Sequence, residues 1–428
     1  MSLSAPIATP VAASGIQHGL SYGALGLPLA FVALPLYVVL PNHYATAFGV
    51  PLASLGALLL VTRLLDAFAD PWIGRWADAW FAHSARRVLS IAAIAAVILA
   101  LGFQALFFPP VGDPAALLAW CAALLALTYL SYSVLSVVHQ AWGARLGGDA
   151  TQRARIVAWR EGLALVGVLV ASVLPSLAGL GLTSAVFAVA LALGVALLTV
   201  APRAVAAAGK QPAPSMRVPL ANPAFRRLLL VFMVNGVASA LPATLVLFFI
   251  RDRLQLPAYE PLFLFSYFAA GALSMPLWVR AVARFGLSRS WLAGMLLAIM
   301  AFVWAAALSV GDLAGFTVVC LASGLALGAD LALPGALLAG VIQRAGHSGH
   351  AEGAYFGWWN FATKLNLALA AGVALPLLGA FDYAPGVREA SALQSLALAY
   401  GLLPCALKLL AATLLYGAWM RTPHGAST

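Results

Sequence analysis

The sequence predicts an all-α polytopic membrane protein with twelve transmembrane helices, and its composition and the spacing of its apolar runs support this class. Of the 428 residues, 63% are apolar and only 8% are charged, whereas a soluble domain carries about 25% charged residues. A mean hydropathy of +0.98 leaves too few polar residues to cover a water-facing surface. The apolar residues also fall into runs of about 20, the length with which an α-helix crosses a bilayer.

Charges, prolines and glycines separate these runs into individual spans. The predicted spans are 16–41, 49–77, 87–109, 114–144, 154–181, 184–202, 223–251, 258–284, 287–309, 313–343, 350–380 and 391–419. The longest polar interruption, 202–227, leaves six spans on each side. We therefore predict an N-terminal six-helix bundle over 1–202, a cytoplasmic linker over 203–222 and a C-terminal six-helix bundle over 223–428.

Basic residues predict the orientation, because cytoplasmic loops carry an excess of Lys and Arg. The even-numbered loops and the C-terminal tail hold sixteen of them, and the odd-numbered loops hold only Arg251, Arg253 and Arg388. Both termini and the central loop are therefore predicted to be cytoplasmic. The net charge of +10 then reflects topology, so no nucleic-acid partner is expected. The bias towards Ala, Leu and Arg over Lys indicates a bacterial chain, and hence the inner membrane.

Three charged residues, Arg63, Asp66 and Asp70, share one face of the second span, because residues three, four and seven apart on a helix are neighbours. Each costs about 2.5–3.5 kcal/mol near the membrane centre on insertion scales. One interpretation places the stripe at the membrane end, where Arg and Asp neutralise each other. The other places it along a water-filled path. Two carboxylates one turn apart repel, so one should hold a proton unless a cation such as Na⁺ lies between them.

Other polar residues inside predicted spans allow two interpretations each. Lys364 either pairs with an acid or an anionic substrate, or extends to the membrane surface. Arg160 is either a binding residue or an interfacial anchor, and Asp330 either lines a cavity or packs beside the kink at Pro334. Lys408 has no neighbouring acid in the sequence. Span four contributes polar or amphipathic groups that form either helix–helix hydrogen bonds or substrate contacts, namely His139, Gln140 and Trp142.

Motifs for catalysis and for cofactors are not apparent. No Ser–His–Asp arrangement, phosphate-cradling loop or metal-ligand spacing stands out, and there is no GxxxxGK[ST] motif. Cys121, Cys320 and Cys405 lie in apolar runs at spacings that fit neither a metal site nor a disulfide framework, so we predict packing roles. We therefore expect no enzyme activity, no cofactor and no ATPase, which leaves an ion gradient, H⁺ or Na⁺, as the energy source.

Several stretches together resemble a known family. The loop after span two, which contains Gly74, Asp78, Arg86 and Arg87, resembles the loop signature of the major facilitator superfamily. "DAFADPWIGRWAD", "GGDATQRARIVAWREG" and "EGAYFGWWNFATKLN" resemble segments of the glycoside–pentoside–hexuronide:cation symporter family, the melibiose-permease-like proteins. The resemblance implies the major facilitator fold, with two six-helix bundles related by a pseudo-twofold axis.

The resemblance also implies roles for individual residues. It assigns Asp66 and Asp70 to a cation site, Arg160 to a sugar site, and Lys364 to the functional lysine of the eleventh helix. The sequence departs from the family in helix four, where Ser133 and Ser136 occur but no acid does, and in helix ten, where Gly340 replaces an acid. Related animal proteins with a similar acid pair import lysolipids, so the family does not define the substrate.

Together these observations predict a monomeric, cation-coupled symporter of a small polar solute such as a glycoside or an organic acid, working by alternating access in the lipid bilayer. The alternative is a lysolipid or amphiphile translocase, or an exporter, of the same superfamily. A non-transporting receptor is a more distant third. Predicted cation ligands are Asp66, Asp70 and Ser133. Predicted substrate contacts are Arg63, His139, Gln140, Trp142, Arg160, Asp330, Trp358, Trp359 and Lys364. Predicted conformational residues are Gly74, Asp78, Arg86 and Arg87.

Overall fold

The structure, a computed structural model, describes residues 15–204, 215–380, 383–384 and 386–421. Within these ranges every regular element is helical. Nine of the described helical segments are long and apolar enough to cross a membrane, and one of these, Ala150–Val200, contains two helices that meet at Gly179. Two further helices, Leu52–His83 and Glu352–Ala380, have 32 and 29 residues. The described chain therefore crosses the membrane twelve times, and the predicted fold class is confirmed.

We number the membrane helices α1 to α12. The first half of the molecule comprises α1 (Ile16–Phe48), α2 (Leu52–His83), α3 (Ala85–Phe107), α4 (Pro114–Arg145), α5 (150–178) and α6 (180–200). The second half comprises α7 (Pro223–Arg253), α8 (Glu260–Phe285), α9 (Leu287–Ala306), α10 (Leu313–Arg344), α11 (Glu352–Ala380) and α12 (Ala390–Leu414), which a π-helical turn, Leu415–Met420, extends.

Local sequence explains where these helices begin. Asp113 accepts a hydrogen bond from the Ala116 N–H at 3.0 Å, and Asp149 forms a capping box with Gln152. Asn222 accepts from the Ala224 N–H at 2.9 Å, immediately before Pro223. Such side chains satisfy backbone N–H groups that have no partner within the helix. The polar breaks seen in the sequence therefore act as helix starts.

The predicted boundaries were wrong at several ends. α1 continues to Phe48 rather than ending at 41, and it contains a π-helical turn, Pro35–Val39, because the prolines interrupt its hydrogen bonds. α2 runs to His83, six residues beyond the predicted end. The boundaries between domains and linker stay predictions, and residues 205–214 of the linker lie outside the described ranges.

The two halves pack against each other through a few helices. α11 contacts α2 and α4, while α5 contacts α8 and α10. These crossings place the charged face of α2 opposite α11 near the middle of the bundle. The three cysteines are buried and free, consistent with their predicted packing roles.

Candidate functional site

The acids of α2 meet Lys364 of α11 at the interface between the two halves. The Lys364 Nζ atom lies 2.7 Å from Asp66 Oδ2 and 2.8 Å from Asp70 Oδ2. Ser133 of α4 accepts a hydrogen bond from the ammonium at 2.8 Å and donates one to Asp66 Oδ1 at 2.6 Å. We call these four residues the Lys364 cluster. The predicted contact between Lys364 and the acids of span two is present.

Burial raises the free energy of the charged groups in the Lys364 cluster. The Asp66 and Asp70 side chains are 6% and 0% exposed, and the Lys364 side chain is 22% exposed. Two carboxylates and one ammonium give the cluster a formal charge of −1 when both acids are ionised. Neither oxygen of Asp70 receives a well-directed hydrogen bond from a described residue, although one lies close to the ammonium. Asp70 is therefore the carboxylate whose charge is least compensated.

Arg63 does not join the Lys364 cluster. Its guanidinium lies 3.6 Å from the centre of the Tyr37 ring, in a cation–π contact with α1. The three charges of the predicted stripe thus divide, with the acids facing α11 and the arginine facing an aromatic ring of the first half.

Arg160 and Gln140 line a narrow cleft between the halves. Gly335 and Phe356 of the second half form part of its wall, and its volume is only about 10 Å³, close to the minimum for one water molecule. The Arg160 Nε atom donates to Glu161 at 2.9 Å. The Gln140 Oε1 atom is buried and accepts no hydrogen bond from a described residue. The cleft is therefore polar but closed in this conformation.

The other two predicted residues of span four form helix–helix contacts. The His139 ring nitrogen Nε2 lies 2.7 Å from the Tyr22 carbonyl oxygen, and the Tyr22 hydroxyl donates back to the His139 carbonyl at 3.1 Å. The Trp142 indole donates to the Pro202 carbonyl at 3.0 Å. Packing within the first half accounts for both side chains, which was one of the two interpretations of the sequence.

The two tryptophans of α11 also contact the second half or the central loop rather than the Lys364 cluster. The Trp358 indole donates to the Met216 carbonyl at 2.8 Å. The Trp359 ring stacks on Phe232 of α7, with ring centres 3.8 Å apart. Their predicted contact with substrate stays a prediction, and among the described residues no hydrogen bond joins either indole to Asp66 or Asp70.

Asp330 and Lys408 form a separate buried cluster within the second half. The Lys408 ammonium lies 2.7 Å from the Asp330 carboxylate and donates to Asn235 and Ser239, both at 2.9 Å. Asp330 also accepts hydrogen bonds from Asn235, Ser239 and Trp291 at 2.9–3.0 Å. Every donor of the ammonium is used. This arrangement joins α7, α9, α10 and α12, and it supplies the partner for Lys408 that the sequence does not show.

We expect Asp330→Asn to reduce folded yield and thermal stability strongly, because it leaves the buried Lys408 ammonium without a counter-charge. Removing one partner of a buried pair costs about 3–5 kcal/mol. The double variant Asp330→Asn/Lys408→Met should recover most of the stability. Size-exclusion profiles and melting temperatures in detergent measure both effects. An Asp330→Asn variant as stable as the wild type would contradict the prediction.

Asp78, near the end of α2, caps the first turn of α11 from outside that helix. α11 begins at Glu352, and the preceding Ala351 has no side-chain acceptor. The Asp78 carboxylate accepts hydrogen bonds from the backbone N–H groups of Gly353 at 2.7 Å and Ala354 at 2.8 Å. A carboxylate at a helix N-terminus satisfies these donors and interacts favourably with the helix dipole. The cap therefore joins the two halves.

Arg145, the last residue of α4, lies between two buried carboxylates. Its Nη2 atom is 3.0 Å from both Asp78 Oδ1 and Glu352 Oε2, and all three side chains are at most 1% exposed. Its Nη1 atom donates to the Gly349 carbonyl, and its guanidinium lies 4.2 Å from the centre of the Phe81 ring. We call Asp78, Arg145 and Glu352 the Arg145 cluster. In the sequence, Arg145 is one of the sixteen basic residues that predict the orientation, and no pattern singles out Glu352.

Glycines allow α2 and α11 to meet backbone to backbone beside the Arg145 cluster. A Cβ atom on Gly74 would lie 2.2 Å from the Gly353 carbonyl oxygen, and one on Gly357 would lie 2.5 Å from the Asp70 carbonyl oxygen. Small residues of this kind let membrane helices approach closely. Two of the four predicted conformational residues, Gly74 and Asp78, lie in this contact, whereas the side chains of Arg86 and Arg87 are exposed.

The hydroxyl of Tyr355, in the first turn of α11, connects the loop between α10 and α11 to the residue that caps α7. The Tyr355 hydroxyl accepts a hydrogen bond from Asn222 at 2.9 Å and lies 2.9 Å from His347 Nδ1. Burial and the neighbouring His350 hold the pKa of His347 below its ordinary value of 6.5. The imidazole is therefore neutral near pH 7 and adds no positive charge beside the Arg145 cluster.

The conformation is closed at one end of the bundle. Among the described residues, the hydrogen bonds and ion pairs that join the halves lie either in the Lys364 cluster or at the end that carries the central loop. The second group includes the Arg145 cluster and a 2.6 Å hydrogen bond from Arg153 to Gln343. Sequence spacing does not reveal such contacts because they join residues at least 190 positions apart in the chain.

A model of the family described as MFS/sugar transport protein matches residues 21–417 of this chain. The chain belongs to the MFS/sugar transport protein family. It is therefore a multi-pass membrane transporter rather than an enzyme. The resemblance found in the sequence is confirmed by this match.

One curated relative of this MFS chain is the inner membrane symporter YicJ of Escherichia coli (strain K12). The two are 28% identical over 159 residues, which is 36% of this chain and 33% of the relative. The chain thus matches about a third of the length of that relative.

Solved structures show the same MFS fold. A bacterial homologue of the iron transporter ferroportin, in an outward-facing state, aligns with a TM-score of 0.70 at 16% identity, covering 94% of this chain and 98% of that one. The human organic anion transporter MFSD10 gives 0.62 at 19% identity, with coverages of 94% and 98%. The Escherichia coli fucose:proton symporter FucP gives 0.61 at 14% identity, with coverages of 92% and 97%. These likenesses support the fold alone.

Proposed function

We propose that the protein is a secondary active transporter that couples the symport of a small polar solute, such as a glycoside or an organic acid, to a cation. The observation that carries the proposal is the position of Lys364 Nζ, which lies 2.7 and 2.8 Å from the carboxylates of Asp66 and Asp70 across the interface between the halves. Intramembrane ionisable residues of this kind mark ion and substrate pathways. The names of YicJ, a symporter, and of FucP, a fucose:proton symporter, agree with it.

The coupling step is a change in the charge of the Lys364 cluster. With both acids ionised the cluster carries −1, and one bound cation brings it to zero. Because the ammonium already fills the position between the carboxylates, a proton neutralises the cluster without needing further space. We therefore propose H⁺ as the coupling ion, added at Asp70, with Na⁺ as the alternative. Protonation of Asp70 weakens one of the two ion pairs between Lys364 and the first half. The Lys364 ammonium can then bind substrate.

We place the substrate site in the cleft of Arg160 and Gln140, about two helical turns from this cluster, since Gln140 follows Ser133 by seven residues on α4. Arg160 offers a guanidinium fork, which suits hydroxyl and carboxylate oxygens, and the buried Gln140 Oε1 atom offers an acceptor that no described residue uses. The cleft is closed here, so we propose that separation of the halves at one end opens it. Rocking of the halves about a central site is the usual route of alternating access.

We propose a bacterial inner-membrane location with both termini and the central loop in the cytoplasm, from the asymmetry of basic residues. The closed end would then be the cytoplasmic end, and the structure would face outwards. A cysteine placed in 215–217, within the central loop, should react with a membrane-impermeant maleimide only in inverted vesicles. Reaction in intact cells would contradict this orientation.

Uptake by proteoliposomes tests the proposed function. The purified protein should accumulate at least one member of a panel of labelled glycosides and organic acids when an inward H⁺ gradient is imposed, and an uncoupler should abolish the accumulation. Lys364→Ala is the matched control, because it disrupts the Lys364 cluster and should therefore not accumulate substrate. Accumulation that requires Na⁺ instead would identify the other coupling ion, and transport indifferent to both gradients would contradict symport.

A further inference from the structure

A groove on the outside of the bundle, away from the cleft, has the size of a ligand site. It lies between α5 and α8, beside the start of α1, and encloses about 530 Å³, within the range of about 300–1,000 Å³ for small-molecule pockets. Val166 and Leu273, on its two walls, are 40% and 77% exposed. Apolar side chains exposed at this depth contact the membrane, so the groove opens towards lipid.

The groove is charged at one end and apolar along the rest of its length. Arg155, at the start of α5, and Arg280, near the end of α8, both line it, at the end of the membrane that carries the central loop. Among the described residues, no carboxylate lies within ion-pairing distance of either guanidinium. The two arginines are therefore available to an anion from outside the protein.

The apolar part is long enough for a lipid chain. From Arg155 to Val166, α5 rises about 16 Å at 1.5 Å per residue. Gly162 widens the groove at the middle of this stretch, because a Cβ atom there would meet only Met275, at 3.7 Å. Two cations at the membrane surface above an apolar channel match the chemistry of a phospholipid, and basic pockets between membrane helices bind anionic headgroups.

We propose that this groove binds one anionic phospholipid of the bilayer, with its phosphate between Arg155 and Arg280 and an acyl chain running past Gly162. The lipid is a bound component rather than the transported solute, so the proposal does not depend on the function proposed above. Arginine suits this role because its planar fork contacts two phosphate oxygens at once.

Native mass spectrometry of the full chain, released from nanodiscs of phosphatidylcholine with 20% phosphatidylglycerol, tests the proposal through charge. The wild type should retain one phosphatidylglycerol, and Arg155→Gln/Arg280→Gln should retain at least tenfold less. Arg284→Gln is the matched control, because it removes a charge one turn away on α8 from a residue that does not line the groove.

A second and independent variant tests the shape of the groove rather than its charge. Gly162→Phe leaves every charge in place but fills the channel, so it should also reduce retention at least tenfold, with an unchanged melting temperature. Retention of phosphatidylglycerol by Gly162→Phe would show that an exposed basic surface holds the headgroup alone, and would overturn the proposal. Equal losses in Arg284→Gln and in the double variant would overturn it as well. Displacement of the lipid by inorganic phosphate at millimolar concentration would identify a free-anion site instead.

Discussion

Asp66→Asn and Asp70→Asn are each expected to abolish cation-driven accumulation of substrate while leaving expression intact. In the ionised, empty state the Lys364 cluster carries −1, and closing the halves around it strands that charge at a cost of several kcal/mol. A bound cation removes the cost, so only the loaded carrier changes conformation readily. Asn is neutral in every state, and the step no longer depends on a cation.

The two variants should differ in how much substrate exchange they retain. Asp70→Asn leaves the Asp66–Lys364 ion pair and the hydrogen bonds of Ser133 in place. We therefore expect exchange of substrate down its own gradient to survive in this variant. Asp66→Asn removes the acid that is bonded to both Ser133 and Lys364, so exchange should fall as well.

Counterflow and gradient-driven accumulation in proteoliposomes separate these outcomes. Asp113→Asn is a matched control, because Asp113 is an exposed acid that caps α4, and Asn caps a helix about as well. If both cluster variants still concentrate substrate like the wild type, the carboxylates are structural and the coupling proposal fails.

The sequence predicts features that depend on composition or on local spacing. Twelve crossings follow from apolar run length, and the meeting of Lys364 with an acid follows from the cost of a lone ammonium at that depth. The paired acids are visible because they lie one turn apart on the same helix. These features depend on a single segment of the chain, or on the cost of burying one charge, whichever residue its partner is.

Partners from distant helices are what the sequence does not show. Lys408 pairs with Asp330, and Asn235 and Ser239 complete that cluster from one face of α7, but no periodicity identifies which helices pack together. Arg145 stands at a helix end, where an exposed topology signal and a buried ion pair have the same sequence appearance. Only the packing of α4 against α11 distinguishes the two.

Arg145→Gln should open the closed end of the bundle. The substitution leaves Asp78 and Glu352 as two carboxylates with no cation between them, in side chains at most 1% exposed. Stranding a buried charge in this way costs about 3–5 kcal/mol. Separation of the halves at this end hydrates both acids and relieves that cost. The equilibrium between closed and open conformations should therefore shift towards opening by about 100-fold or more.

A cysteine at Ala351 reports this shift, because the residue is 0% exposed beside the Arg145 cluster. In a background without Cys121, Cys320 and Cys405, Ala351→Cys should react with maleimide far faster when Arg145 is also changed to Gln. Arg153→Gln is the matched control. It removes a hydrogen bond between the halves at the same end, but one that is exposed to solvent.

If Arg145→Gln reduces the yield of folded protein, neutralising the acids keeps the prediction testable. The variant Asp78→Asn/Arg145→Gln/Glu352→Gln contains no stranded charge, so it should fold, yet it lacks the ion pairs that hold α2 and α4 against α11. Labelling of Ala351→Cys in this background should remain faster than in the wild type. Labelling rates equal to those of Arg153→Gln in both backgrounds would show that close packing at Gly74 and Gly353, and not the charge cluster, keeps this end closed.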